Sequence, residues 1–289
     1  AIAPRNGSGT MSIVVDRLSH TYHPNTPLET RALRDITFEL QRGAWMSVVG
    51  HTGSGKSTLV QHLNGLLIPQ SGSVVVDGME VREKSPHLRA VRRKVGLVFQ
   101  YPEQQLFAES VLEEVAFAPR NWGVPEAEIP GLVQSSLALV GLDGQYLERS
   151  PFHLSGGEKR KVAIASVLAS APEYLVLDEP TAGLDSFSRK ELVDLLTALK
   201  EKGYGILLVT HDLDIALQAS DAILILNRGE QVVRDTPRRV IEHLRGDHIP
   251  GLSLPDIVTL SAELHDRTGT VPVTWDWRVL AQAIGEMKR

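Results

Sequence analysis

Nine consecutive residues constrain this chain more than any other stretch. Gly50-His51-Thr52-Gly53-Ser54-Gly55-Lys56-Ser57-Thr58 directly follows an apolar run, Trp45 to Val49, and directly precedes a helical stretch. Glycines free of side chains let backbone N–H groups turn inward around an anion, and the following helix aims its positive dipole end at the same point. The string therefore predicts a buried strand, a phosphate-type loop and a helix in that order.

Short β-branched runs recur along the chain with helical segments between them: Ser12 to Leu18, Asp35 to Gln41, Trp45 to Val49, Ser73 to Val76, Val95 to Phe99, Tyr174 to Asp178, Gly205 to Thr210 and Ala222 to Leu226. The later ones are continuously apolar, as expected of parallel strands covered on both faces. The fold class is α/β. Between Gln100 and Pro172 no comparable strand is found, and Ser110 to Trp122, Glu126 to Leu142 and Gly156 to Ala171 read as helices. They form a helical insert spanning about residues 101–172. After about Gly229 the pattern changes to helices that start at Thr236-Pro237 and Leu254-Pro255, so residues 231–289 read as a C-terminal appendage. Its last apolar positions, 277, 280, 281, 284 and 287, have helical spacing and call for something to pack on.

Composition removes whole classes of function. With 42% hydrophobic and 22% charged residues, the 289-residue chain is neither disordered, collagen-like nor a coiled coil. A net charge of −5 disfavours broad attraction to nucleic acid or anionic lipid. Absence of cysteine excludes disulfides, thiolate zinc sites and a cysteine nucleophile. The longest uncharged run, Ser57 to Val76, is interrupted by Gln61, His62, Asn64, Pro69 and Gln70, so it does not read as a membrane span. Residues 1–10, polar and rich in Gly and Ser, read as a tag or processing remnant.

The loop's chemistry points to a nucleotide with magnesium. Lys56 would present a point charge to the β- and γ-phosphates, and the Ser57 hydroxyl would ligate Mg²⁺. The other half of such a metal site is a carboxylate at a strand end, and Tyr174-Leu-Val-Leu-Asp178-Glu179-Pro180 supplies two. Asp178 would hold the metal. Alternation along an extended chain would send Glu179 to the other side, where it could polarise a water for attack on the γ-phosphate. Further on, Leu154-Ser155-Gly156-Gly157-Glu158 opens a long helical run. Ser155 and Glu158 form a capping box, but the cap does not explain two bare glycines at a helix N-terminus, where anions bind. A second phosphate-type cradle suggests a nucleotide held by another subunit.

GHTGSGKST, Gln100 after a strand, LSGGE, LVLDEP, Ala182-Gly-Leu-Asp185 and His211 together resemble the ATP-binding cassette ATPases, in that family's order, over about Ile13 to Glu230. The resemblance implies a P-loop ATP-binding cassette fold with a helical insert and a small C-terminal domain, the nucleotide-binding domain covering residues 11–230. It implies ATP hydrolysis by a dimer that sandwiches each nucleotide between Gly50–Thr58 of one subunit and Ser155–Glu158 of the other. Gln100 would sense Mg²⁺ and the attacking water, His211 would contact the γ-phosphate, Asp185 would communicate across the dimer, and Tyr22 would stack on adenine.

Leu97-Val-Phe-Gln100-Tyr-Pro-Glu-Gln-Gln-Leu-Phe107, Val115-Ala-Phe-Ala-Pro119 and Lys159-Arg-Lys-Val-Ala-Ile-Ala165 are similar to the ATPases of energy-coupling factor transporters, which take up vitamins or transition-metal ions. Tyr101-Pro102-Glu103, with Tyr22-His-Pro-Asn-Thr-Pro27 upstream, is more similar to the second of their two paralogous ATPases. That implies a second ATPase subunit, a paralogue or another copy, as partner. It also implies a transmembrane T subunit docked in a groove near Gln100 to Phe107, an indirectly linked substrate-binding S subunit, and a peripheral place on the cytoplasmic face of the cell membrane. Tyr101, Leu106 and Phe107 are the expected apolar floor of that groove. Arg89, Arg92, Arg93 and Lys94 read as a solvated helix face. Three alternatives stay open: the ATPase of another importer, a soluble cassette ATPase, and a P-loop kinase, although a kinase has no use for LSGGE.

Overall fold

The computed structural model describes residues 11–287 other than 248 and 250. Residues 1–10, read above as a remnant, lie outside the described residues. Strands β1 (Ser12–Tyr22) and β2 (Thr30–Gln41) pair antiparallel, and β1 also pairs with β4 (Ser71–Val76), which carries the two-residue β5 (Met79–Glu80). The parallel part contains β3 (Trp45–Val49), β6 (Val95–Val98), β7 (Tyr174–Asp178), β8 (Gly205–Thr210) and β9 (Ala222–Asn227). Every residue of β3, β7 and β8 is buried, which is why those runs lack polar alternation.

Two strands escaped the sequence reading, the two-residue β5 and a longer one. Glu230–Asp235 forms β10, antiparallel to β9 and joined to β2 by a parallel pairing of Glu230 with Arg34. It completes a ten-stranded sheet in the order β5-β4-β1-β2-β10-β9-β3-β8-β7-β6. The sheet therefore continues beyond Gly229, and the chain leaves it only after Asp235. This strand alternates exposed and half-buried residues, so it carries no apolar run.

Helices α1 (Lys56–Leu63) and α2 (Leu88–Lys94) lie with the first strands. The insert holds α3 (Val111–Asn121) and α4 (Ile129–Leu139), each shorter at both ends than expected, and α5 (Gly156–Leu168), which starts where expected and stops earlier. Their buried Val111, Val115, Val133, Leu137, Val162 and Ile164 share one core with Leu175 and Leu177 of β7 and Leu208 of β8. Helices α6 (Ser186–Glu201) and α7 (Leu213–Ala219) follow β7 and β8. In the C-terminal part, α8 (Pro237–Gly246) and α9 (Asp256–Thr268) bury Val240, Ile241 and Val258 against Val49, Ile223 and Ile225 of the sheet. The last helix, α10 (Trp277–Met287), buries Leu280 but leaves Trp277, Val279 and Met287 exposed. Among the described residues, this chain covers only part of the apolar face that the spacing predicted.

The basic cluster on α2 is solvent-exposed at Arg89, Arg92 and Arg93, as expected, and half-buried at Lys94, but three of its four cations are also tied to other parts of the chain. Lys94 donates to Asp77 at 2.7 Å and also pairs with Glu173. Arg92 donates to the Gly65 carbonyl at 2.9 Å, and Arg89 donates to the Asn121 carbonyl while lying over the Trp122 ring. Arg42 joins Asp77 and Glu173, and the Tyr174 hydroxyl donates to Asp77 at 2.6 Å. This network ties the β4–β5 turn to the start of β7, and its acceptors lie far along the chain from the cations.

Candidate nucleotide site

Parallel pairing sets the site's frame. Val49 of β3 is opposite Thr210 of β8, and Asp178 of β7 is opposite Val209. The loop Gly50–Gly55, the pair Asp178–Glu179 and His211 therefore emerge side by side at the carboxyl ends of adjacent strands, where open α/β sheets bind ligands.

Two glycines of the loop are required by close approach. A Cβ on Gly50 would lie 2.3 Å from the Leu226 carbonyl oxygen, and one on Gly55 would lie 2.4 Å from that of Ala32. Gly55 also has φ near 100°, the left-handed region, immediately before α1 begins. Gly53 is left-handed too, at an exposed bend beside Thr52. The Ser54 carbonyl accepts from Gly229 N at 3.0 Å, which braces the loop against the turn into β10. His51 Nε2 contacts Asn227 Oδ1 at 3.1 Å, a support that the sequence reading missed because 176 residues separate them.

Lys56 is buried, and its ammonium donates to the carbonyls of Gly50 (2.7 Å) and His51 (3.0 Å). It also lies 3.6 Å from Glu179 Oε1. The other Glu179 oxygen contacts His211 Nδ1 at 3.2 Å. One carboxylate thus bridges the loop lysine and the histidine after β8. Glu179 reaches this place through a turn rather than through strand alternation. Its N–H still bonds to the Val209 carbonyl at 2.9 Å, but its φ is near 46°. A left-handed non-glycine residue is strained by about 1–2 kcal/mol, and such strain collects at functional sites.

Asp178 is buried at the end of β7, with the Ser57 hydroxyl of α1 near enough to favour its ionised form. Burial pushes its pKa above the ordinary aspartate value, with the neighbouring Glu179 charge adding to the rise and Ser57 and Lys56 opposing it. A bound cation would reverse that balance in favour of the carboxylate. Among the described residues no group of three or more His, Cys, Asp or Glu converges. Magnesium at a nucleotide takes one or two protein oxygens and completes its shell with phosphate and water, and the neighbouring Ser57 hydroxyl and Asp178 carboxyl fit that need.

Tyr22 ends β1 with its hydroxyl 3.3 Å from Thr58 Oγ1 and its ring edge-to-face with His20. Gln100 lies two residues beyond β6, exposed at the same sheet edge, with no side-chain hydrogen bond among the described residues. Ser155–Glu158 belong to the insert instead. The capping box is formed: Ser155 Oγ accepts from Glu158 N, and Glu158 accepts from Ser155 N at 2.8 Å. The Tyr146 hydroxyl donates to the second Glu158 oxygen at 2.7 Å, and these bonds hold the carboxyl pKa down to about 2. With its carboxylate turned into the cap, Glu158 offers an outside anion only its place in the helix. Gly156 and Gly157 are exposed, and a Cβ on either would meet nothing within 4 Å.

Residues 33–182 match the ABC transporter family. The chain belongs to that family. It is 44% identical over 274 residues to the energy-coupling factor transporter ATP-binding protein EcfA2 of Symbiobacterium thermophilum, covering 94% of this chain and 95% of that protein. It is 45% identical over 264 residues to the EcfA2 of Geobacillus kaustophilus, covering 90% and 91%. Among solved structures it resembles cbiO1 from Clostridium perfringens, part of the ABC transporter complex cbiONQ. The TM-score is 0.72 at 33% identity, covering 82% of this chain and 95% of that one. It also resembles the dimeric cassette MJ0796 bound to ADP and Pi, with a TM-score of 0.69 at 29% identity, covering 78% and 99%. The family's α/β fold and its ATP-binding activity are those of this chain.

Only part of the Gln100–Phe107 expectation survives. Tyr101 and Phe107 are exposed, and Phe107 stacks edge-to-face on exposed Phe117, but Leu106 is buried in the insert's core. Glu114 of α3, also buried, accepts from the backbone N–H groups of Phe107 and Ala108 at 2.9 and 2.8 Å and shapes this loop. Arg160, quoted above only as part of a motif, is buried beside Glu103.

Proposed function

We propose that this chain is the ATP-hydrolysing subunit of an energy-coupling factor importer for vitamins or transition-metal ions, working as half of a nucleotide-sandwich dimer. The observation that carries the reading is the bridge Lys56–Glu179–His211 at the mouth of the phosphate loop. Lys56 binds the β- and γ-phosphates, Glu179 accepts a proton from the attacking water, and His211 holds the carboxylate in place and reaches the γ-phosphate. Ser57, Asp178 and Gln100 are the residues that would hold Mg²⁺, which supplies charge neutralisation between the phosphates. Tyr22 supports the adenine side beside Thr58.

The partner's nucleotide is met by Ser155, Gly156, Gly157 and Glu158, where the exposed Gly156 and Gly157 leave the helix N-terminus open beside the Ser155–Glu158 cap. The second subunit is a paralogue or another copy of this chain. The exposed aromatics Tyr101, Phe107 and Phe117 suit a coupling helix of a transmembrane T subunit, because aromatic anchors carry much of an interface's energy. An S subunit is reached only through T. No helix of the described residues is long and apolar enough to cross a membrane, which suits a peripheral place on the cytoplasmic face.

Replacing Glu179 by Gln tests the reading. ATP should still bind, while turnover falls at least about a hundredfold, the range for a lost positioned base. Phosphate release at the unaltered rate would remove Glu179 from the chemistry.

A further inference from the structure

Arg160 lies one turn into α5, so it travels with the Ser155–Glu158 segment, yet none of its side-chain hydrogen bonds is made to that segment. Its guanidinium is buried, with five contacts that match its five N–H donors. Nε and Nη2 fork onto the Glu103 carboxylate at 3.1 and 2.9 Å. Nη1 donates to the Pro180 carbonyl at 2.9 Å, and Nη1 and Nη2 both reach the Ala182 carbonyl at 3.3 Å. Pro180 and Ala182 both belong to the strained turn that begins at Glu179, and Ala182 N closes that turn on the Glu179 carbonyl at 3.1 Å. Glu103 lies in the short 3-10 turn Pro102–Gln105, which begins two residues after Gln100 and just after Tyr101, itself left-handed with φ near 53°.

We propose that Arg160 is a positioning residue that locks the Glu179 turn to the Gln100–Phe107 loop, so that a displacement of that membrane-facing loop re-aims the carboxylate that activates water. A planar fork holds two acceptors on one side and two on the other at fixed angles, so a shift of Glu103 rotates the plane and pulls on both carbonyls. A lysine keeps the charge but not the simultaneous grip. Glu103 also keeps the guanidinium from being an unpaired buried charge, which makes the pair a unit rather than two independent contacts. The inference rests on the reading of Glu179 as the base.

The test is steady-state ATP hydrolysis by the full chain in its transporter assembly, for Glu103→Gln, Arg160→Lys and the double variant, with Glu179→Gln alongside. Glu103→Gln preserves shape and decides the matter even if the Arg160 variant folds poorly. Each single variant should lower kcat about tenfold with KM for ATP changed less than twofold, since misplacing a reacting group costs rate more than affinity. The double variant should be no slower than the slower single one, as for residues acting together. Unchanged kcat in Glu103→Gln, a KM rise as large as the kcat fall, or losses that multiply would each overturn the role of Arg160. Full turnover by Glu179→Gln would instead overturn the base assignment, and that result is read independently of the Glu103 variant.

Discussion

At the scale of single residues, the phosphate loop separates glycines that the fold needs from those it does not. Gly55 combines φ near 100° with a Cβ position 2.4 Å from a backbone oxygen that has no freedom to move away. Alanine there should lower the melting temperature measurably and weaken nucleotide binding together, because strain of about 1–2 kcal/mol is added at the start of α1 before any clash is counted. Calorimetry and nucleotide titration on the same preparation would check both. Tight binding at wild-type stability would mean that the loop adapts. The Gly55 requirement is written in the motif string. The acceptors of Lys56 Nζ are not, since an expectation of phosphate contact gives no hint that the ammonium folds back onto the carbonyls of Gly50 and His51.

Secondary-structure elements tell a different story about glycine. Gly156 and Gly157 open α5 with helical backbone, exposed, and with room for a Cβ. Nothing among the described residues asks for glycine at either position. Alanine is the better helix former by about 1 kcal/mol in a helix interior, so Gly157→Ala should leave thermal stability unchanged or raised. If an outside phosphate must approach this helix end, the same variant should nevertheless lose hydrolysis by at least about tenfold. Wild-type turnover in a stable Gly157→Ala protein would count against an incoming nucleotide. The capping box was readable from S-x-x-E alone because it is closed within four residues. The third bond to Glu158, from Tyr146, was not, because a 3-10 turn and a loop bring that hydroxyl back.

For the molecule as a whole, acid sensitivity is predicted by one buried ring behind the phosphate loop. His62 of α1 is fully enclosed, donates from Nδ1 to the Thr58 carbonyl at 2.7 Å, and packs edge-to-face on His20. Burial pushes its pKa down to about 4, with the hydrogen bond to Thr58 opposing and His20 assisting. The unfolded chain binds a proton near the ordinary value of about 6.5, whereas the folded one resists until about pH 4. Stability is therefore fully present above pH 6.5 and is lost as pH falls from there towards 4. In His62→Leu, urea denaturation should show a lower plateau at pH 7.5 but a flatter decline between pH 6.5 and 4.5. A slope equal to that of the parent would show that His62 does not titrate on unfolding.

Near-neighbour physics is what the amino-acid order settled unaided. A Gly-rich turn between an apolar run and a helix, a carboxylate pair at a strand end, a cap closed over four residues and strands hidden on both faces all follow from contacts within a few positions. Tertiary folding decided the rest, because those partners are brought together by the sheet rather than by the chain. The polar strand β10 lies between β2 and β9, with no apolar run to announce it. The Glu179 carboxylate meets His211 across 32 positions, and Arg160 meets Glu103 across 57. Side-chain reach at such separations depends on strand register and on where helices come to rest, and neither is carried by any local pattern of residues.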